Sequence, residues 1–380
     1  MKNKTKILLA TSVLGTSLMA QNYSQPTLYK DAGAMGMGGT NVALGGSSSA
    51  IFYNPAGLSK IPKEYGVELQ LINSNISINE NILDFVDDMD EASSNPPNVT
   101  GDSDTDESLA VLDVVDSYVG ENVHFDASNF TSYGQKFDKL GISIGAVMGA
   151  DVNFQTHRPL DRVLETQGLA YGGAALGLSW DFDEPYSVGV GFKQLQTLSW
   201  DHQFSLAELL DNNDDLGTYI EDEVAQESSS TTFDLGGLYE VDSHINLGAS
   251  LLNIGGIGEE NGVYIPMTLN LGASYSNRTD GEWLFNQYRL SVDYIDVANA
   301  YDTDTDPMKR LRAGAEINIF DGWLSTLALR AGVYQASPTY GFDFRFSVLK
   351  IAYSQYTEEL GAYAGQSSDT RHIVNLTIGF

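Results

Sequence analysis

The 380-residue chain has no cysteine. That excludes a disulfide framework, a Cys-x-x-Cys redox or metal motif, and a lipid-modified cysteine after any cleavage point. Positive charge is scarce: 20 lysines and arginines stand against 51 acidic residues, a formal net charge of −31, or −34 without the three lysines Lys2, Lys4 and Lys6. A protein that neutralises phosphates needs the opposite sign, so no nucleic-acid partner is expected. Beyond residue 20 no apolar run reaches the ~18 residues of a membrane-spanning helix. The five histidines (His124, His157, His202, His244 and His372) are scattered, and Ser229 and Ser230 lie in a serine run rather than beside a base. No nucleophile elbow is expected, and Gly36-Met37-Gly38-Gly39 is no phosphate loop, since no strand–helix unit surrounds it. The chain is therefore read as neither an enzyme nor a cofactor binder.

What is present points to export and to strands. Lys2, Lys4 and Lys6 precede an apolar stretch, Ile7 to Ala20, that ends in small residues. That is the pattern of a secretory signal peptide over residues 1–20. With no spanning helix, any membrane crossing falls to strands. Glycine (38), tyrosine (20) and phenylalanine (16) are abundant. From Glu64 onward period-two alternation recurs: Tyr288, Leu290, Val292 and Tyr294 share one face, with Arg289 and Asp293 on the other. Tyr340 to Phe346 and Leu311 to Ile319 repeat the pattern. A soluble sandwich would alternate in the same way.

The connections discriminate. About fourteen strands are expected: 64–79, 127–137, 139–155, 168–181, 185–200, 228–241, 244–255, 266–277, 284–297, 308–320, 323–335, 340–347, 349–357 and 369–380. Links after the odd strands are long and mostly polar or acidic, whereas links after the even strands are short. Residues 336–339, after the eleventh strand, are the exception. Long loops on one side and tight turns on the other describe a transmembrane antiparallel β-barrel. An even count closes it and returns the carboxyl terminus to the short-turn side.

The acid is concentrated in the long links. No lysine or arginine occurs between Lys63 and Lys136, and thirteen acidic residues from Asp84 to Asp126 crowd that interval. Residues 80–126 and 201–227 are thus expected as long, solvated extracellular loops. Helical spacing of Ile82, Phe85 and Val86, of Leu109, Leu112 and Val115, and more weakly of Leu206, Leu209 and Leu210, places helices within them. Asp102, Asp104 and Asp106 carry the odd-position acids of a calcium loop, but Glu107 replaces its glycine and Asp113 its glutamate, so no metal site is assigned.

Alternation also sends Arg289, Asp293, Arg312, Glu316, Arg330, Asp343 and Arg345 to one side of neighbouring strands. In lipid they would be prohibitive; in a lumen they pair and meet water. Two readings stand: they brace the interior, or they line a solute path. The chain ends with Val374, Leu376, Ile378 and Phe380 as an apolar row. Terminal strands of bacterial barrels look like this, and there the final aromatic, Phe380 here, belongs to the signal read by the barrel-assembly machinery.

Residues 31–62 pack seven glycines among small residues and close on aromatic anchors and an Asn54-Pro55 turn. A free tail would not need such anchors, and residues 21–63 are read as a compact hatch inside a wall formed by residues 64–380. Its expected contact residues are Gly36, Gly38, Gly39, Phe52, Tyr53, Asn54 and Pro55. The run Gly33-Ala34-Met35-Gly36-Met37-Gly38-Gly39, followed by Ala50-Ile51-Phe52-Tyr53-Asn54-Pro55-Ala56-Gly57-Leu58, resembles the start of mature FadL-like outer-membrane barrels, which include hydrophobic-compound transporters and PorV-type proteins. In the transporters this region forms a hatch. Ala352 to Gly361 resembles the last hairpin of barrels known as conjugal transfer protein TraF; the cysteine-free chain is not the thioredoxin-like protein that shares that label.

The resemblance implies the outer membrane of a Gram-negative bacterium, with outer-membrane lipid as surroundings. It implies a barrel that passes or binds a small hydrophobic solute. The alternative is a non-transporting scaffold serving an envelope, secretion or conjugation partner. An apolar pocket near Phe52 and Tyr53 would favour transport, and a lumen filled by ion pairs would favour the scaffold.

Overall fold

The computed structural model describes residues 24–62, 67–158, 163–182, 185–211, 216–258, 262–278, 284–301, 306–322 and 324–379. The signal-peptide reading and the Phe380 assembly signal fall outside these residues. Fourteen strands form one closed barrel in which each strand pairs antiparallel with its sequence neighbour and β14 pairs with β1. They are β1 Val67–Asn79, β2 Asn122–Phe137, β3 Leu140–Thr156, β4 Leu164–Asp181, β5 Tyr186–Phe204, β6 Gln226–Glu240 and β7 Ile245–Ile254, then β8 Thr268–Arg278, β9 Leu284–Tyr294, β10 Leu311–Asp321, β11 Ser325–Tyr334, β12 Ser337–Phe346, β13 Leu349–Glu359 and β14 Ser368–Gly379. Closure leaves no unpaired edge, the condition for strands to cross hydrocarbon.

Alternation sorts the side chains by face. Leu290 and Val292 on β9, Leu329 and Val333 on β11, and Phe342 and Phe344 on β12 are exposed on the outer surface. Their sequence neighbours Ser291, Asp293, Tyr334 and Asp343 are buried within. An apolar outside and a polar inside is the inverse of a soluble protein and the arrangement a bilayer requires.

One set of links is long (80–121, 157–163, 205–225, 255–267, 295–310 and 360–367), and the opposite set is short (138–139, 182–185, 241–244, 279–283, 322–324 and 347–348). The exceptional link after β11 is the two-residue turn Gln335-Ala336, on the long-link side. Both residues are left-handed (φ 50° and 67°), as the twist of a two-residue hairpin demands. Helices Asn81–Ser94 and Ser103–Ser117 occupy the first long link, and shorter helical turns, Leu206–Asp211, Leu216–Tyr219 and Ile220–Val224, the third.

Three strand boundaries differ from expectation by four residues or more, β4 among them, which begins at Leu164 rather than 168. β2 begins at Asn122 rather than 127, and β5 runs to Phe204 rather than 200. The long link therefore ends at residue 121, and Asp126, expected in solvent, is buried on the inner face of β2 beside His124. An inward row of His124, Asp126 and Ser128 is as polar as a loop, so composition hid the strand. Strands β2 to β5 span 16 to 19 residues, whereas β7 to β13 span 10 or 11, so one side of the wall stands taller.

Candidate functional site: the hatch and the cavities it divides

Residues 24–62 fold against the inner face of the wall. The helix Ala32–Gly36 is capped by Asp31, whose Oδ1 accepts from the Ala34 amide at 3.0 Å. Gly38 and Gly39 end it in the left-handed region (φ 70° and 76°), where a side chain would be strained. The helix sits on β12 and β13: Thr339 Oγ1 accepts from the Gly38 amide and donates to the Gly36 carbonyl, both at 3.1 Å, and Ser354 Oγ donates to the Ala32 carbonyl.

Asn54 fixes the second half. Its Oδ1 accepts from the Ala56 amide at 3.0 Å, which starts the turn Pro55–Lys60 with proline at a first-turn position. Its Nδ2 donates to Val42 O within the hatch (2.8 Å) and to Gly237 O on β6 (3.1 Å). Lys60 pairs with Glu240 on β6. The wall matches this closeness with glycine. A Cβ on Gly332 would lie 2.6 Å from the Gly38 nitrogen, and one on Gly177 would meet Ile51 and Leu58. Glycine inside a strand marks such close backbone approach.

Aromatic and charged contacts complete the docking. Phe52 packs between Tyr29 (centroids 5.1 Å) and Phe130 on β2 (4.9 Å), contacts of about 0.5–1.5 kcal/mol each beyond burial. The Tyr53 hydroxyl accepts from the Asp31 amide at 2.9 Å. Asp293 on β9 accepts from two hatch amides, Asn41 (2.7 Å) and Val42 (2.9 Å). Lys30 reaches Asp151 on β3 at 3.5 Å, both 5% exposed.

Among the described residues, two cavities on opposite sides of the hatch have no lining residue in common. On the long-link side, a cavity of about 110 Å³ lies between Tyr29, Phe52 and Tyr53 of the hatch and Leu252, Ile265 and Tyr334 of the wall and loops. A second space of about 210 Å³, touching Gln167, Asp201 and Tyr264, shares Gln25 and Tyr301 with the first and leads outward from it. On the short-turn side, a polar cavity of about 260 Å³ is bounded by the hatch residues Asp31, Gly33 and Met37 and by Glu68, Arg289 and Lys350. The hatch helix lies between the apolar and the polar space.

The expected charge cluster divides in three. Glu316 joins Arg289 and Arg330, its direct ladder partners, at 2.7 Å each. Asp343 joins Arg330 at 3.2 Å and Lys350 at 3.7 Å, which completes one network at the polar cavity. Asp293 and Arg312 lie apart: the carboxylate holds the hatch, and the guanidinium stacks over the Tyr334 ring at 4.5 Å. Arg345 does not join either group. It sits near the end of β12, with its Nη2 at 3.4 Å from Gly322 O in a short turn. Strand alternation gives a side chain its face but not its height, and height separates these residues.

Asp102 and Asp106 are engaged by their own loop. Asp102 is the N-cap of the helix Ser103–Ser117, and Asp106 in its first turn accepts from the amide and hydroxyl of Thr100 at 2.7 and 2.8 Å. Nothing is described of the Asp104 side chain. Among the described residues, no group of three His, Cys, Asp or Glu could hold a metal. The pattern Gly-x-Ser-x-Gly does occur, as Gly141-Ile142-Ser143-Ile144-Gly145, but inside β3 with no turn. Ser143 there donates to Ser48 O at 3.2 Å, so its hydroxyl serves the hatch.

Sequence reasoning missed several buried pairs. Lys193 on β5 pairs with Asp234 on β6 (2.7 Å, 2% and 0% exposed), and the same carboxylate accepts from the Asn253 amide. Arg371 on β14 pairs with Asp369 at 2.7 Å and donates to Asn153 on β3. Lys193 alternates to the inner face and was detectable as one of few basic residues. Its carboxylate partner was not, since it depends on register.

No family model matches the chain, and no curated protein matches it. Among solved structures it is similar to the toluene transporter TodX of Pseudomonas putida, with 12% identity over 93% of this chain and 99% of that one and a TM-score of 0.53. It is similar also to the deltaS2S3 mutant of the TodX monoaromatic hydrocarbon channel (11% identity, 92% and 97% covered, TM-score 0.54). The Ralstonia pickettii toluene transporter TbuX is a third (12% identity, 91% and 97% covered, TM-score 0.50). The likeness extends over nearly the whole of both chains and shows the fold, a closed antiparallel barrel of the kind these transporters have.

Proposed function

We propose that the chain is an outer-membrane channel of a Gram-negative bacterium that takes up small hydrophobic solutes. One observation carries the proposal: the 110 Å³ cavity on the long-link side of the hatch, walled by Tyr29, Phe52, Tyr53 and Leu252. It is of the order of the ~150 Å³ engineered cavity that binds benzene. The wider space beyond Gln25 and Tyr301 leads to it from the loops, and the hatch stands between it and the polar cavity. Transport of monoaromatic hydrocarbons by proteins of the same fold supports the reading. Leu252→Trp, which fills the cavity, is expected to lower uptake of labelled toluene by cells at least tenfold while the barrel stays heat-modifiable. Undiminished uptake would overturn the proposal.

A second reading rests on the network Arg289–Glu316–Arg330–Asp343, which braces β9 to β12 below the hatch. On that reading the barrel is a TraF-like or PorV-like scaffold for an envelope, secretion or conjugation partner. Native mass spectrometry of the mildly solubilised protein separates the two: a stoichiometric partner protein supports the scaffold, and a bound hydrophobic solute supports the channel.

A further inference from the structure

The apolar cavity is lined by three basic side chains, Lys30, Lys193 and Arg312, and by no aspartate or glutamate. In a chain with 51 acidic and 20 basic residues, that inversion is local and specific. The three cations are not equivalent. Lys193 is neutralised by Asp234 at 2.7 Å and Lys30 faces Asp151 at 3.5 Å. Arg312 stacks over Tyr334, and its Nε is buried without a hydrogen-bond partner.

Asp293, Asp296 and Asp31 each accept from backbone amides. Asp293, the ladder partner of Arg312, turns to the amides of Asn41 and Val42. Asp296 accepts from Ala300 and Tyr301, and Asp31 from Ala34. Asp293 Oδ1 is itself buried without a hydrogen-bond partner, as is Arg312 Nε, yet among the described residues no ion pair within 4 Å joins these carboxylates to the guanidinium, which lines the cavity. A buried donor without a partner costs free energy, and an anionic ligand group placed there removes that cost.

We infer that the solute this cavity selects is a single-ring aromatic carboxylate, its ring among Tyr29, Phe52 and Tyr53 and its carboxylate on Arg312. The cavity, about 110 Å³, is of the order of one that holds a single aromatic ring. The guanidinium offers the planar pair of donors that a carboxylate takes and a neutral hydrocarbon cannot use. The inference rests on the channel reading above and names its substrate class.

The test is calorimetric titration of the purified, detergent-solubilised full chain at pH 7.5 with benzoate and with its neutral isostere benzyl alcohol. Benzoate is expected to bind at least tenfold more tightly. Arg312→Met should abolish that preference and leave benzyl alcohol affinity within twofold; Arg312→Lys should keep part of the preference, and both variants should remain heat-modifiable. Equal affinities, tighter binding of benzyl alcohol, or a preference that survives Arg312→Met would overturn the carboxylate assignment and leave the channel reading standing. Saturable binding of neither compound would overturn both.

Discussion

Asp293 is the point at which the docking of the hatch is most directly testable. The carboxylate is fully buried on β9 and accepts from two consecutive hatch amides, Asn41 at 2.7 Å and Val42 at 2.9 Å. Hydrogen bonds to a charged group contribute about 1.5–3 kcal/mol each. Removing the group also removes the several kcal/mol that burying a charge costs, so the two contributions do not add. The neighbouring ties survive: Ser274 Oγ donates to Ala43 O at 3.0 Å and Asn54 Nδ2 to Val42 O at 2.8 Å. For Asp293→Ala we therefore expect a net local loss of about 1.4–2.8 kcal/mol, roughly 10- to 100-fold in the opening equilibrium. Amide hydrogen exchange in nanodiscs should show Asn41 and Val42 exchanging faster by that factor, with strand amides of β9 and β10 unchanged. Asp293→Asn keeps one acceptor and should fall between. Unchanged protection of Asn41 and Val42 would refute the reasoning, since it would mean that the two amides do not depend on this carboxylate.

Two further outcomes follow from the wall and the loops. A Cβ on Gly332 would stand 2.6 Å from the Ala313 carbonyl oxygen and from the Gly38 nitrogen, backbone atoms that cannot yield. Gly332→Val should cost about 1–3 kcal/mol through overpacking and expose the hatch to protease, whereas Gly172→Val, with nothing within 4 Å of its Cβ, should be silent. Asp306 ties two long links by accepting from the Met308 and Ala364 amides, and these bonds hold its carboxyl below the usual range. Because the folded-state value is depressed, the tie is fully present above the ordinary aspartate value of about 3.9 and is lost as pH falls through the lowered value. Exchange at Ala364 should accelerate only in that acid window, and Asp306→Asn should remove the pH dependence.

Much of the barrel was legible because lipid on one side and a polar lumen on the other impose a period of two on every strand. Leu290 and Val292 against Asp293 is that rule in three residues. The alternation of long and short links gave the sidedness, and Asn54-Pro55 gave the hatch turn. Strand ends were less legible where the inner face is polar, as at His124 and Asp126 on β2. The site was the least legible part. Asp293 meets Asn41 across 252 positions of sequence, and Lys193 finds Asp234 through register. Arg312 and Arg330 read alike by alternation, yet one stacks at the apolar cavity and the other is locked to Glu316 at the polar one. Strand glycines such as Gly177 and Gly332 carried a signal of close approach that acquires its meaning once the hatch is seen against them.

The central claim is that residues 24–62 close the lumen between an apolar and a polar cavity. Single-channel recording in planar bilayers tests it most directly, comparing the intact chain with a form lacking residues 24–60. Little steady ion conductance is expected from the intact barrel and a large increase on deletion, with the shortened protein still heat-modifiable. Conductance of the intact chain at the level of an open porin, or no change on deletion, would contradict it.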